Sequence, residues 1–164
     1  MENQQRSLDN RLHWLGGIID GEGMITLIKR VGKNQDGYTP RISIVNTDIS
    51  IINEASLIFK KMSLPHFIQE REGTGSWKKK YEIIIGGIQR CRRVIPHIIP
   101  VLIAKKNKAI LLSEYCESRM SGKFRSPITT RQHEIAKIIR VGHTTGPQSN
   151  TPRDYTPNTN LVMI

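Results

Sequence analysis

The strongest constraint on the fold is a helical segment that contains glycines and ends next to an acid. Apolar residues recur at helical spacing from Leu8 to Ile19, and the segment ends at a Gly-Glu-Gly turn over 21–23. Gly16 and Gly17 lie inside this segment, although an internal Gly costs about 1 kcal/mol relative to Ala. Close approach of another backbone would offset that cost, so the spacing predicts a helix with one tightly packed face.

Glu22 follows the C-terminal end of the predicted helix. The partial negative charge at a helix C-terminus disfavours a neighbouring carboxylate by about 0.3 to 1 kcal/mol. A bound cation would reverse this preference. Glu22 is therefore a candidate cation ligand, and the alternative is a solvated glutamate in a turn.

The rest of the hydrophobic pattern predicts a helix, two strands, a second helix, two more strands and then further helices. Strands are expected over 24–31, 41–46, 67–72 and 80–85, and helices after 47–48 and over 88–99, 100–118 and 128–141. This order indicates the α+β class. We expect one domain over 1–141 and an extended tail over 142–164, where Thr, Pro, Asn and Gly predominate.

The charge of the chain favours a nucleic-acid partner. Lys and Arg number 25 against 14 Asp and Glu, which gives a net charge of +11. Neutralising phosphates releases condensed counterions, so an acidic polymer is the leading partner. No apolar run approaches the roughly 20 residues that span a bilayer, so we expect a soluble, unprocessed intracellular protein with no membrane role. The 25 isoleucines against 6 valines are typical of AT-rich coding, and an origin in a chloroplast, a mitochondrion or a prokaryotic cytoplasm stays open.

The segment from Leu15 to Gly23 resembles the LAGLIDADG motif of homing endonucleases, with Gly at both Ala positions and Glu22 in place of the final Asp. The element order, the strand end at 46–48 and the segment 100–108 are similar to the single-motif members of this family. The resemblance covers about residues 8–118. It implies an αββαββα core with a four-stranded antiparallel saddle, followed by C-terminal helices and an extended tail.

The resemblance also implies an activity. Single-motif members cleave double-stranded DNA as homodimers at long pseudo-palindromic sites, depend on Mg²⁺ or Mn²⁺, leave short 3′ overhangs and are often intron-encoded. The two motif helices pack on the dyad, and each would bring one Glu22 side chain and one Gly21 carbonyl to the metal. The dimer interface implied for this chain comprises His13, Gly16, Gly17, Asp20 and Gly21.

Three further residues are implied to act in catalysis. Lys105 aligns with a family lysine that stabilises phosphate charge or polarises water, and its alternative is a solvated cation in a basic cluster. Thr47 or Asp48 occupies the position of a residue that orients water, and the alternative for either is a helix N-cap. Asp20 matches the other acid of the motif, whose role in the family is chiefly structural.

The strands would lie in the DNA major groove, where alternate residues point towards the bases. Ile42, Ile44, Tyr81, Ile83 and Ile85 are then expected to pack against the helices. Each polar residue of the other face could equally be a solvent-facing side chain. The residues expected to contact DNA are Thr26, Ile28, Arg30, Lys33, Arg41, Ser43, Gln69, Arg71, Lys80 and Glu82.

Two other functions stay open. The first is a maturase that binds its own intron RNA, and the second is a basic nucleic-acid-binding protein without catalysis. Retention of an acid at Glu22 favours the nuclease, because neither alternative requires it. The strands carry no paired RNP-like aromatic residues, so a sheet that stacks RNA bases is disfavoured. The sequence contains no HExxH, Walker A or GxSxG motif, so other catalytic schemes are disfavoured as well.

Overall fold

The computed structural model describes residues 2–31, 37–73, 78–122 and 126–141, with side chains from residue 8 onward. The predicted tail over 142–164 and the predicted phosphate contact Lys33 lie outside the described residues. The elements in chain order are α1 (Glu2–Glu22), β1 (Gly23–Arg30), β2 (Gly37–Asn46), α2 (Ile49–Lys61), β3 (Phe67–Arg71), β4 (Lys80–Gly86), α3 (Ile88–Ile98), a short 3-10 helix (Ile99–Val101), α4 (Lys106–Ser121) and α5 (Thr130–Arg140).

The four strands form one antiparallel sheet in the order β1-β2-β4-β3. Ile42 pairs with Ile25 on one side and with Ile85 on the other, so the three side chains lie on the same face. This face carries the core of the protein. Ile25, Leu27, Ile42, Ile44, Ile83 and Ile85 have no exposed surface. The predicted α+β class and strand parity are therefore confirmed.

The first helix begins at Glu2, earlier than the predicted Leu8, and packs on the sheet through Leu15 and Ile19, which are fully buried. β1 starts directly after Glu22, so the chain passes from helix to strand without a loop. A Cβ atom on Gly23 would lie 2.6 Å from the carbonyl oxygen of Ile19. Glycine is therefore required where the helix turns into the strand.

The second helix packs on the core through an apolar stripe at helical spacing, because Ile52, Ala55, Ile58 and Phe59 are fully buried. Asp48 is its N-cap and accepts a hydrogen bond from the backbone N–H of Ser50. α5 begins with a capping box in which Thr129 and Gln132 bond to each other's backbone N–H groups. Its Ile135 and Ile139 side chains complete the core.

The prediction of one helix over 100–118 was wrong in its first part. The structure has a 3-10 helix over Ile99–Val101, an irregular stretch, and α4 only from Lys106. The backbone N–H groups of Ile103, Ala104 and Lys105 bond to the carboxylate of Asp20, so they do not enter a helix. Within the described residues, no helix has the length and apolar character needed to cross a bilayer.

We expect Gly16→Ala to lower the free energy of unfolding by about 1 to 3 kcal/mol, the usual cost of overpacking. A Cβ atom at this position would lie 2.3 Å from the carbonyl oxygen of Val101, which is backbone and cannot rotate away. Gly37→Ala is the matched control, because its Cβ atom would meet no described atom within 4 Å. Urea unfolding measures both variants, and equal effects would contradict the close packing at Gly16.

Candidate active site and nucleic-acid interface

A cleft of about 350 Å³ lies where α1, β2 and β4 meet, and it is lined by Glu22, Val45, Asn46, Thr47 and Lys80. The sheet register explains why these residues meet. Gly23 pairs with Ile44, which places the preceding Glu22 beside the end of β2. Asn46 pairs with Tyr81, which brings Lys80 to the same edge. Glu22 is exposed here, so its carboxylate is accessible to a ligand.

The structure distinguishes the two residues proposed to orient water. Thr47 lines the cleft with Glu22. The Asp48 carboxylate instead accepts hydrogen bonds from the backbone N–H of Ser50 at 2.8 Å and from its hydroxyl at 2.7 Å. These bonds from Ser50 lower the pKa of Asp48 below its usual range. Asp48 therefore acts as the helix N-cap that the sequence analysis gave as its alternative.

Asn46 is a cleft residue that the sequence analysis did not select. Its side-chain oxygen accepts a hydrogen bond from the backbone N–H of Asp48 at 2.8 Å, which fixes the side chain at the end of β2. A polar residue that ends an alternating strand beside the motif acid was the available signal. Asn46 and Thr47 together give the cleft an amide and a hydroxyl next to the carboxylate of Glu22.

Asp20 anchors the segment 103–105 to the end of α1. Its carboxylate accepts three backbone hydrogen bonds, from Ile103 at 2.7 Å, Ala104 at 3.1 Å and Lys105 at 2.8 Å. Desolvation acts to raise the pKa of Asp20, but these N–H groups and the charge of Lys105 outweigh it and hold that pKa below its usual value. Asp20 therefore has a structural role within its own chain.

Lys105 lies at the C-terminus of α1, next to the cleft. Its ammonium group donates to the carbonyl oxygens of Ile19 at 2.8 Å and Asp20 at 2.7 Å. A cation at this position offsets the negative end of the helix. Partial burial lowers the pKa of Lys105, with a further contribution from Lys108, while the charges of Asp20 and Glu22 oppose this effect.

Glu22 is the one carboxylate among the residues that line the cleft. Carboxylate oxygens are hard ligands of the kind that Mg²⁺ binds. Among the described residues, no three His, Cys, Asp or Glu side chains lie together as a metal site. A metal ion bound at Glu22 would therefore need further ligands from outside these side chains.

The open face of the sheet brings together the described residues predicted to contact DNA. The register places Thr26 opposite Arg41 and Gln69 opposite Glu82 on this face. Their exposure differs, however. Ile28, Arg30, Gln69, Arg71 and Lys80 are exposed, Arg41 is half-buried, and Thr26, Ser43 and Glu82 are buried.

The residues predicted to form a dimer interface do not all lie on one surface. Gly17 and Gly21 are exposed on α1, and no described atom lies within 4 Å of a Cβ built on either. His13 is also exposed, and its Nδ1 lies 2.8 Å from the carbonyl oxygen of Asp9. Gly16 and Asp20 contact their own chain, at Val101 and at the 103–105 segment, and the interface expected for them stays a prediction.

No sequence profile of a known protein family matches the chain, and no curated protein sequence matches it. Solved structures do match. The homing endonuclease I-CvuI, in complex with its target, has a TM-score of 0.68 and 14% identity over 87% of this chain and 87% of that chain. The archaeal intron-encoded homing endonuclease I-Vdi141I, complexed with DNA, has a TM-score of 0.65 and 16% identity over 80% of this chain and 82% of that chain.

A third similar structure is the LAGLIDADG homing endonuclease I-SmaMI bound to cleaved DNA. Its TM-score is 0.59 with 14% identity, and the match covers 85% of this chain and 45% of that chain. The chain therefore has the fold of the LAGLIDADG homing endonucleases, as the resemblance of its motif and element order implied.

We expect Asp20→Asn to lower the free energy of unfolding at pH 7 by about 1 to 2 kcal/mol, because the variant loses the negative charge that strengthens three hydrogen bonds. The loss is no larger because the site is partly solvated. The pKa of Asp20 is lower in the folded state than in the unfolded chain. Its stabilisation is therefore present above about pH 4, the ordinary pKa of an aspartate, and is lost as pH falls through the folded-state value.

Urea unfolding of wild type and Asp20→Asn at pH 7 and pH 3 measures this effect. The difference between the two proteins should shrink at the lower pH. Asp48→Asn is the control, since Asn caps a helix about as well as Asp and should change stability by only a few tenths of a kcal/mol. A difference for Asp20→Asn that does not depend on pH would contradict the charged role of Asp20.

Proposed function

We propose that this protein is a site-specific endonuclease that cleaves double-stranded DNA as a homodimer and requires a divalent metal ion, with Mg²⁺ or Mn²⁺ as the cofactor. The observation that carries the proposal is the position of Glu22, an exposed carboxylate in a cleft at the edge of the open sheet face. The similarity of the fold to homing endonucleases in complex with DNA supports it.

The open face of the sheet binds the major groove in this proposal. Arg30, Gln69, Arg71 and Lys80 are exposed polar side chains that can reach base edges or phosphates. The net charge of +11 supplies the sequence-independent attraction to the phosphate backbone. Thr26 and Ser43 are buried under this face and shape its surface.

Glu22 and the carbonyl group of Gly21 would hold the metal ion. Bound at this edge, the ion would supply Lewis-acid chemistry, which activates a water and stabilises the leaving oxygen. Complexes of I-CvuI with DNA were crystallised in the presence of 2 mM Ca and of 2 mM Mg, and the DNA in the Mg complex is not cleaved. Hydrolysis leaves 5′ phosphates and short 3′ overhangs in the proposed reaction.

Three neighbouring residues support this chemistry in the proposal. The Thr47 hydroxyl and the Asn46 amide lie in the cleft with Glu22 and hold the attacking water. Lys105 carries its positive charge at the end of α1 and offsets the negative charge of the helix end and the phosphate. Asp20 positions Lys105 through the backbone and is not itself a metal ligand.

A second copy of the chain completes the site. One chain contributes a single acid at the cleft, and cleavage of two strands requires two such centres. Gly17 and Gly21 are exposed on α1, and a second helix packed against them would bring the two Glu22 side chains near one dyad. A symmetric dimer recognises a pseudo-palindromic target. The gene would lie in a mobile intron.

We expect Glu22→Gln to reduce DNA cleavage on the order of 10³-fold, as for other groups that stabilise charge in the transition state, and to leave DNA binding largely intact. The side chain is exposed, so the substitution should not disturb folding. Both proteins are incubated with a randomised duplex library in Mg²⁺, and the new ends are sequenced. Recurrent staggered ends should appear with wild type only.

Glu134→Gln is the matched control, because Glu134 is an exposed acid on α5, away from the residues that line the cleft. It should cleave like wild type. Cleavage by Glu22→Gln near the wild-type rate would refute the metal assignment. If neither protein makes ends but wild type binds its own intron RNA tightly, the maturase alternative is correct.

We expect Gly17→Arg to abolish self-association without impairing folding. A side chain at this position meets no described atom, and Arg forms helix better than Gly by roughly 1 kcal/mol, so the monomer stays folded. The long cation prevents a second α1 from approaching. Sedimentation velocity measures the association, and Asn53→Arg, which adds the same charge at an exposed position of α2, should remain a dimer.

One outcome would contradict the interface at α1, and another would contradict the dimer itself. Gly17→Arg that still sediments as a dimer would move the interface away from α1. A wild-type protein that stays monomeric even on DNA would refute the shared catalytic centre.

A further inference from the structure

Two arginines converge on one buried carboxylate on the open face of the sheet. Glu82, in β4, is 3% exposed and is the only charged residue of the described chain that is buried. The Nη2 atom of Arg41, in β2, lies 2.6 Å from Oε1 of Glu82. The Nη2 atom of Arg71, in β3, lies 2.5 Å from Oε2 of Glu82. The carboxylate thus connects the two strands that flank β4.

The sheet register shows that these contacts run along the strands. The direct neighbours of Glu82 are Val45 in β2 and Gln69 in β3. Arg41 lies at the level of Gly86, and Arg71 lies at the level of Lys80. The two arginine side chains therefore reach Glu82 from opposite ends of β4, and Glu82 holds both of them against the sheet.

The buried carboxylate of Glu82 and the two arginines depend on one another for stability. A buried carboxylate is costly unless it is paired, and removing one partner of a buried pair leaves an uncompensated charge. The contact with Arg41 is a hydrogen bond, whereas the contact with Arg71 is a close ion pair without hydrogen-bond alignment. Two cations share one acid, so the cluster keeps a net positive charge.

The two arginines differ in what they can offer to a ligand. The Arg71 side chain is 46% exposed and the Arg41 side chain is 20% exposed. A guanidinium has five donor N–H groups, so Arg71 retains most of them beyond its contact with Glu82. The Nε of Arg41 and the hydroxyl of Ser43 are buried without a hydrogen-bond partner among the described residues. Arg71 is thus the accessible member, and Arg41 lies beneath the surface.

We propose that Glu82 is a positioning residue for DNA recognition, which holds Arg71 in one orientation so that it reads a guanine, with Arg41 as the supporting cation. This inference rests on the proposed DNA-binding function and replaces the direct base contact predicted for Glu82. An arginine reads guanine through two parallel hydrogen bonds to O6 and N7, and this geometry depends on how the guanidinium is oriented. A side chain that is already ordered loses less rotamer freedom on binding.

The test compares Glu82→Gln with Glu70→Gln. Both substitutions remove one negative charge from the sheet, but Glu70 pairs with Lys79 and contacts neither Arg41 nor Arg71 in the described structure. Base preference at each position is measured by selection from a randomised duplex library in EDTA, where no cleavage occurs. Arg71→Ala identifies the base pairs that Arg71 reads.

At those base pairs, Glu82→Gln should lower the preference for guanine about tenfold, within the range that one bidentate pair contributes. Binding to unrelated DNA should become tighter in both Gln variants, because each gains one positive charge. Glu70→Gln should keep the wild-type base preference. An unchanged preference in Glu82→Gln, or an equal loss in Glu70→Gln, would overturn the inference.

A further measurement, which needs no DNA, separates this inference from the proposed function. NMR of the arginine Nε–H groups without DNA should show dispersed signals for Arg41 and Arg71 in wild type that collapse in Glu82→Gln, and unchanged signals would refute the positioning role. If wild type has no base preference at all while the two arginines are ordered, the proposed function and the reading role of Arg71 fail together.

A second variant serves if Glu82→Gln does not fold. Arg71→Lys keeps the charge without the guanidinium and should lose the same guanine preference. An Arg71→Lys protein that keeps this preference would overturn the inference.

Discussion

The carboxylate of Asp20 determines where the candidate site can form. It binds three consecutive backbone N–H groups of the 103–105 segment, which prevents that segment from continuing as helix and brings Lys105 to the end of α1. Lys105 then bonds the carbonyl groups of that helix end. Glu22 lies two residues after Asp20 in the chain. The Asp20 side chain therefore fixes the position of the Lys105 charge close to Glu22. Gly16 is part of the same contact, since only a residue without Cβ lets Val101 approach α1 so closely.

Local pattern was sufficient to predict the four strands, the face to which their side chains point, and the helices other than the first part of the segment 100–118. Alternation along β2 assigned Ile42 and Ile44 to the core, and both are fully buried. In α2 the buried residues Ile52 and Phe59 lie two helical turns apart, a spacing that the sequence displays. These features depend on neighbours within a few residues, where the periods of strand and helix are directly readable. The cleft residue Glu22 was also predictable, because an acid after a helix C-terminus conflicts with the helix dipole.

Contacts between distant segments were not predictable in the same way. Gly16 and Gly17 are adjacent and identical, yet one meets Val101 while the other faces open space. Thr47 and Asp48 are likewise adjacent, and only the observed hydrogen bonds to Ser50 separate the helix cap from the cleft residue. Glu82 had the parity of an exposed residue, but long side chains from two other strands cover it. The alternation along a strand predicts the face of the sheet to which a side chain points. It does not predict which other side chains cover it.

The direct passage from α1 into β1 limits how this protein can change over evolution. No residue separates Glu22 from the strand, and Gly23 has no space for a side chain. One inserted residue at this junction would invert the strand and turn Ile25 and Leu27 out of the core, since strand side chains alternate between faces. Substitutions along the strands can therefore change the exposed residues of the sheet without changing the fold. An insertion or deletion between Glu22 and Gly23 would prevent folding and be removed by selection.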